Sequence, residues 1–315
     1  MNSPMITYIS HGNSGSVRSR FGAFMNRKDR MFRKSVLFLF SMFLASGISM
    51  PVYAALPVDS LLQPLQPPEI GSYILKETGS SKVFMVKDSE KTIQPASLTK
   101  ILTSIIALES GQLDDEVVIT KEATMVEPSK AGFKPGERIL LRDLVKAAMV
   151  SSSNDAAFAI GIHLEGSVPR FVRKMNRKAR DIGMRHSVFT NPAGFDKRVY
   201  AGNVSTAEDL VKLTEYAIRN RKFNEIASLE SVLVTERSSN KIYLLKTHNK
   251  LLGKYPYAVG IKTGFTRSAG KCLIARAKKE NKDMLLVLLD AKGDRWSIAE
   301  QMFESAFTPP FQAYQ

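Results

Sequence analysis

The order of local patterns along this chain is the strongest constraint on its fold, because strand-like runs come first and last while helical runs lie between. Tyr73-Ile-Leu-Lys76 and Lys82-Val-Phe-Met-Val-Lys87 are short runs of β-forming residues, separated by Glu77-Thr-Gly-Ser-Ser81, which reads as a hairpin turn. Ala258 to Phe265, Lys271 to Lys278 and Met284 to Asp290 read as three further strands, the last two joined by Glu280-Asn-Lys-Asp283. Leu98 to Ser110 is apolar on most sides and is followed by Gly111, as for a buried helix with a glycine stop. Ile139 to Met149 and Asp155 to Leu164 read as two helices joined by Val150-Ser-Ser-Ser-Asn154. Val168 to Gly183 is amphipathic, with Phe171, Val172, Met175, Ala179 and Ile182 on one stripe. Ser205-Thr-Ala-Glu208 has the form of a capping box opening a helix to about Arg219, and a last helix covers Arg295 to Phe307. The expected fold is mixed α/β, of the α+β kind: an antiparallel sheet formed from both chain ends and packed against a helical cluster.

The N-terminal 54 residues are of another kind. Arg27, Lys28, Arg30, Arg33 and Lys34 precede the uncharged, mostly apolar run Val36 to Ile48, and Pro51-Val-Tyr-Ala-Ala55 follows with small residues suited to cleavage between Ala54 and Ala55. Basic region, apolar core and small-residue site in that order form a secretory signal, with Met25 and Met31 as alternative starts. An uncleaved run of this length is the competing reading, a marginal membrane anchor. The expected organisation is a leader and signal at 1–54, a lead-in segment at 55–70, one catalytic domain at 71–308, and a short tail at 309–315 with no second domain.

The formal charge of the whole chain is +15, but the leader carries six of those charges, leaving +9 on the exported part. An exported basic protein meets anionic envelope polymers rather than nucleic acid, so no nucleic-acid partner is expected, and the +9 reads equally well as a soluble surface with no partner meaning. A single cysteine, Cys272, excludes an intrachain disulfide; its apolar surroundings suit a small buried strand residue. On the helix from Val168, Arg170, Arg173, Lys174, Arg177, Lys178 and Arg180 form a basic face, readable as a solvated surface or as a docking face for an anionic wall polymer.

His11, His163, His186 and His248 are scattered and no H-E-x-x-H occurs, so neither a metal site nor any cofactor is expected. G-x-S-x-G is absent too, so a serine nucleophile here needs a base other than histidine. Ser97-Leu-Thr-Lys100 supplies one: residues i and i+3 share a helical face, which lets the Lys100 amine approach the Ser97 hydroxyl. Ile101 and Ile105 surround that amine with apolar groups, which favours its neutral, basic form. Read alone, Ser97 fits a helix N-cap as well, and the same spacing recurs at Ser238–Lys241 and Ser268–Lys271, but only Ser97 opens a long apolar helix, while the others lie in polar or turn-rich stretches. Ser152-Ser-Asn154 sits in a short interhelical loop where a hydroxyl and an amide can face a cleft, although Asn154 equally suits a cap before Asp155. Lys262-Thr-Gly264 occurs once, at the end of a strand-like run. There Lys262 and Thr263 can bind a carboxylate and Gly264 lets an extended ligand lie close; an ordinary strand-to-turn transition is the alternative.

Taken together and in this order, Pro95-Ala-Ser-Leu-Thr-Lys100, Ser152-Ser-Asn-Asp-Ala156, Asn191-Pro-Ala-Gly-Phe-Asp196 and Gly260-Ile-Lys-Thr-Gly-Phe-Thr266 resemble the blocks of the penicillin-binding serine D-alanyl-D-alanine carboxypeptidases. The resemblance runs from about Ser72 to Phe307 and implies the fold of the class A β-lactamases and transpeptidases. It implies Ser97 as the acylated nucleophile, Lys100 as its base and Ser152 as a proton relay to the leaving amine. Asn154 would contact the substrate amide, Lys262 and Thr263 the terminal carboxylate, and the amides of Ser97 and Phe265 would form the oxyanion hole. The implied reaction removes the terminal D-alanine from peptidoglycan stem pentapeptides, and β-lactam antibiotics are the implied inhibitors.

Ser153 stands where such proteins often have Gly or Ala, and Val259 where an acidic residue commonly precedes the glycine of G-I-K-T-G. With the last helix near residue 307, no C-terminal membrane anchor is expected, and an exported or periplasmic, envelope-facing location is. The competing functions are a D,D-endopeptidase, a β-lactamase, disfavoured because the class A E-x-x-L-N signature is missing, and a non-catalytic envelope-binding scaffold, disfavoured by the intact motifs.

Overall fold

The computed structural model describes residues 69–196 and 200–308, all within one compact unit, 66–315. The leader, the signal, nearly all of the lead-in segment and the tail lie outside the described residues. A five-stranded antiparallel sheet organises the unit. It contains β1 (Ile70–Glu77), β2 (Val83–Lys87), β7 (Ala258–Thr266), β8 (Gly270–Lys279) and β9 (Lys282–Ala291), in the order β2-β1-β9-β8-β7. The chain ends meet at its centre, where Leu75 of β1 stands opposite Leu286 of β9. The expected architecture, an antiparallel sheet drawn from both ends, is therefore the observed one.

The run Met284-Leu-Leu-Val-Leu-Leu289 is apolar at every position because both faces of the sheet are covered. Ile74, Ile274 and Val287 face the helical cluster, while Leu75, Leu273, Leu286 and Leu288 face α8 (Arg295–Phe307) on the other side. The cluster comprises α1 (Lys100–Leu108), α2 (Lys121–Thr124), α3 (Leu141–Val150), α4 (Asn154–Glu165), α5 (Val168–Ile182), α6 (Ala207–Ala217) and α7 (Arg221–Ala227). Buried at the centre of that layer at every position, α1 is apolar on most sides, and its polar Lys100 and Thr103 are hydrogen-bonded inside the protein.

Two local expectations give way to tertiary pairing, and one unassigned segment gains structure. Residues 138–140 form β4 (Arg138–Leu140) rather than the first turn of a helix, because Ile139 pairs with Val117 of β3 (Glu116–Val118); α3 begins only at Leu141. The helix after residue 205 is capped by Thr206, whose hydroxyl accepts from the Asp209 amide at 3.1 Å, not by Ser205. The backbone of Ser205 is already engaged with Ile93, N–H to C=O in both directions, so the helix starts one residue later. Residues 231–246, unassigned from sequence, form a hairpin of β5 (Ser231–Thr235) and β6 (Ile242–Lys246).

Leu102 is wholly buried on α1 between the sheet and the other helices. Leu102→Ala should destabilise the fold by about 2–5 kcal/mol, read as a lower urea midpoint with an unchanged m-value.

Candidate active site

Ser97 lies on a single 3-10 turn, Ala96–Thr99, that leads into α1. The turn has an unusual start: Ala96 adopts φ +47°, a left-handed conformation that costs an alanine energy and that the surrounding packing must hold. Lys100 opens α1 fully buried, and its Nζ lies 2.9 Å from Ser97 Oγ. The same nitrogen reaches Asn154 Oδ1 and the Ala193 carbonyl, each at 2.7 Å. Burial first, and the positive Lys262 second, hold its pKa well below the ordinary lysine range, while the buried Asp155 pulls the other way. A neutral amine has two N–H donors and one lone pair. Asn154 and Ala193 take the donors, which leaves the lone pair to accept from the Ser97 hydroxyl.

A second pair stands across the cleft. Ser152, also in a left-handed conformation at φ +57°, accepts from Lys262 Nζ at 2.9 Å, and Lys262 also reaches the Thr263 carbonyl at 3.1 Å. Burial, then the nearby Arg295 guanidinium, lower the Lys262 pKa to about 7. Lys262, Thr263 and Gly264 lie on β7, an edge strand of the sheet, so one side of it is open to an extended ligand. A Cβ on Gly264 would approach the Pro95 carbonyl to 3.0 Å and the Ala96 Cβ to 3.1 Å, so glycine is what lets β7 pass so near the serine turn. Phe265 projects its ring outward from the strand. With Glu127, Pro128, Phe195, Asp196, Thr266, Arg267 and Ser268 it lines a cavity of about 480 Å³.

Other buried polar groups brace these two pairs. Asn191 Oδ1 accepts from the Ala193 and Gly194 amides, which folds the Asn-Pro-Ala-Gly loop so that the Ala193 carbonyl points at Lys100. Asn203 ties Thr99 Oγ1 to the Asn191 carbonyl, and Thr103 donates to the Pro192 carbonyl. Gly194 has φ +83°, and a Cβ there would sit 1.8 Å from the Ala96 carbonyl oxygen, so no other residue fits against the serine turn. Asp155 accepts from the Ala131 and Gly132 amides at 3.0 Å, fastening the 129–133 segment to the start of α4. Arg295 donates to the Gly264 and Cys272 carbonyls, joining α8 to β7 and β8. Cys272 is buried in β8, and burial pushes its thiol up to about 11, which leaves it protonated and unreactive.

The structure thus brings Ser97, Lys100, Ser152, Asn154, Lys262, Thr263, Gly264 and Phe265 to one cleft. It sets the other S-x-x-K copies apart: Lys241 is held by Glu137 and Tyr243 at the hairpin, and Lys271 by the Gly293 carbonyl. Asn203 and Arg295 are not singled out from sequence, and Asp155 stands inside the quoted Ser152–Ala156 block with no role attached. Asn191 stood inside a quoted block with no role attached. Among the described residues no group of acidic, histidine and cysteine side chains could hold a metal ion.

Fold and site together define a serine peptidase of the β-lactamase-like fold, with a buried lysine amine beside the serine hydroxyl. The D-alanyl-D-alanine carboxypeptidase family model matches residues 63–293, and the chain belongs to that family. It is 31% identical to the Bacillus subtilis D-alanyl-D-alanine carboxypeptidase DacF over 76% of this chain and 62% of the relative, so it spans less than two thirds of that protein's length. It is 28% identical to a Pseudomonas aeruginosa D-alanyl-D-alanine endopeptidase over 83% of this chain and 84% of the relative. Its structure resembles the crystal structure of a Mycobacterium tuberculosis D-alanyl-D-alanine carboxypeptidase, with a TM-score of 0.71 and 29% identity, covering 79% of this chain and 94% of the other.

A buried lysine with a depressed pKa leaves a mark on stability. Between about pH 7 and the ordinary lysine value near 10.4, the unfolded chain holds a proton at residue 262 that the folded protein has lost, so folding stability gains as pH rises through that window. Unfolding free energies measured across it should rise less steeply for Lys262→Met than for the unsubstituted protein.

Proposed function

We propose that this protein is a serine D,D-carboxypeptidase that removes the terminal D-alanine from peptidoglycan stem pentapeptides through an acyl-enzyme. The observation that carries this reading is the 2.9 Å contact between a desolvated Lys100 amine and Ser97 Oγ, facing the Ser152–Lys262 pair across a cleft bordered by an open edge strand. The stem peptide lies along β7 with its C-terminal carboxylate against Lys262 and Thr263. The arriving negative charge keeps Lys262 protonated, with Arg295 adding to the positive field. Neutral Lys100 takes the Ser97 proton as Oγ attacks the carbonyl between the two D-alanines. The amides of Ser97 and Phe265 hold the oxyanion. The C–N bond then breaks, with the proton passing from Lys100 through Ser152 to the departing amine of D-alanine. Water, giving its proton to Lys100, cleaves the ester and restores Ser97. Asn154 holds Lys100 on one side and offers its amide to the substrate on the other.

Residues 27–55, with their basic, apolar and small-residue blocks in signal order, support export to the envelope, where this substrate is found. Among the described residues no helix is long and apolar enough to cross a membrane. A D,D-endopeptidase is the second reading, favoured by the match to a relative of that name over 84% of its length.

The test gives purified protein a labelled penicillin and, separately, a pentapeptide. Stable labelling and D-alanine release are expected, both lost in Ser97→Ala. Ser152→Ala should slow acylation by about 10²–10⁴ while the protein stays folded. Rapid penicillin turnover would point to a β-lactamase, cutting of cross-linked dimers without D-alanine release to the endopeptidase, and absence of labelling, release and cross-link cutting would overturn the enzymatic reading.

The rate should also depend on pH from two sides. Deprotonation of Lys100 raises acylation as pH increases, and loss of the Lys262 proton above about 7 in the free enzyme weakens carboxylate binding. The kcat/KM profile for pentapeptide should be bell-shaped, and Thr263→Val should raise KM without moving the acid limb.

A further inference from the structure

Helix α5 exposes four arginines, Arg170, Arg173, Arg177 and Arg180. Their spacings of three, four and three residues place them within an arc of about 80° along roughly 15 Å of helix. The two lysines of the same helix are neutralised, Lys174 by Glu165 and Lys178 by Glu109, each at 2.6 Å. Among the described residues no carboxylate stands within ion-pair distance of any of the four arginines. The arrangement works against the helix itself. Arg170 with Arg173, Arg173 with Arg177 and Arg177 with Arg180 are like-charge neighbours at the spacings where side chains meet. Arg170 also lies in the first turn, where the helix dipole is positive and no acidic residue offsets it. On the lysine side Glu165 and Glu109 from neighbouring segments balance the charge, whereas along the arginine line the helix's single acidic residue, Asp181, follows Arg177 by four positions and pairs with none of the four.

We propose that this arginine stripe binds a linear polyanion of phosphate esters, of the kind built by phosphodiester linkage into cell-envelope polymers. Each guanidinium offers a planar fork that fits two phosphate oxygens, and a chain of phosphates removes every repulsive pair on the helix at once. A lipid surface fits less well. The apolar side of α5, with Val168, Phe171, Met175 and Ala179, is buried in the protein, so nothing on this helix can enter a bilayer. The stripe is also a line rather than a plane, and it lies on α5, whereas the cleft is built by α1, the start of α4 and β7. The polymer would therefore tether the protein and leave the cleft open. This inference concerns where the protein is held and stands whichever reaction Ser97 performs.

The test measures binding of fluorescently labelled poly(glycerol phosphate) over a range of sodium chloride. With four phosphates neutralised on a flexible chain, log Kd should rise with log salt with a slope of about 3, at roughly 0.7 per contact. Replacing Arg170, Arg173, Arg177 and Arg180 by Gln should weaken binding at least about tenfold and bring the slope below about 1. A control of equal charge, Lys91→Gln, Lys121→Gln, Lys134→Gln and Lys254→Gln, should keep nearly all the affinity. Circular dichroism and penicillin labelling report whether each variant is folded; if the fourfold arginine variant is not, Arg173→Gln with Arg177→Gln should still halve the slope. Equal losses in both fourfold variants, or an unchanged slope, would overturn the stripe. Binding to phosphatidylglycerol vesicles that the polymer fails to displace would overturn the choice of polymer over lipid.

Discussion

The burial of the Lys100 amine is the interaction on which the rest of the site depends. An ammonium removed from water, with a second buried cation nearby, is costly to keep charged, so the nitrogen is driven toward its neutral form. Only that form has a lone pair to aim at a serine hydroxyl. The rest of the site can be read as the apparatus that keeps the amine dry, directed and partnered. Asn154 and the Ala193 carbonyl take its protons, Asn191 bends the loop that presents Ala193, and Asn203 ties that loop back to the serine turn.

The backbone absorbs the strain this arrangement creates. Ala96 and Ser152, one on each side of the cleft, adopt left-handed conformations outside glycine, and Gly194 and Gly264 press against the turn that contains Ala96. Such conformations persist only when packing over-determines them. The rigid layers around the cleft provide that: a buried helix, a sheet covered on both faces, and Arg295 clamping the carbonyls of two adjacent strands. The same sheet leaves β7 as its edge, so the strand carrying Lys262 and Thr263 has an open side for an extended ligand.

Much of this was legible in the residues. Ser97 and Lys100 are separated by three positions, and helical geometry alone brings them together. The sheet strands were readable because their apolar runs are long or strictly bounded. Ile139 and Leu140 read as the first turn of the helix because apolar residues directly before a helix look like part of it; only their pairing with residues 116–118, more than twenty positions earlier, makes them a strand. Thr206 displaced Ser205 as a cap for a similar reason, since a backbone bridge to Ile93 uses the earlier residue. Asp155, Asn203 and Arg295 carried no local signal, because their partners come from distant segments.

The sequence by itself determined the class of fold and the set of residues able to do acyl-serine chemistry, since both rest on local spacing or on the order of elements. The tertiary structure decided how dry the lysine of each S-x-x-K copy is: Lys100 is fully buried, Lys241 is exposed and Lys271 is half-buried. A lysine becomes a base only when it loses water, and desolvation is a property of the whole fold rather than of four residues. It likewise separated the lysines of α5, which have glutamate partners, from the four arginines, which stand along one line without any among the described residues.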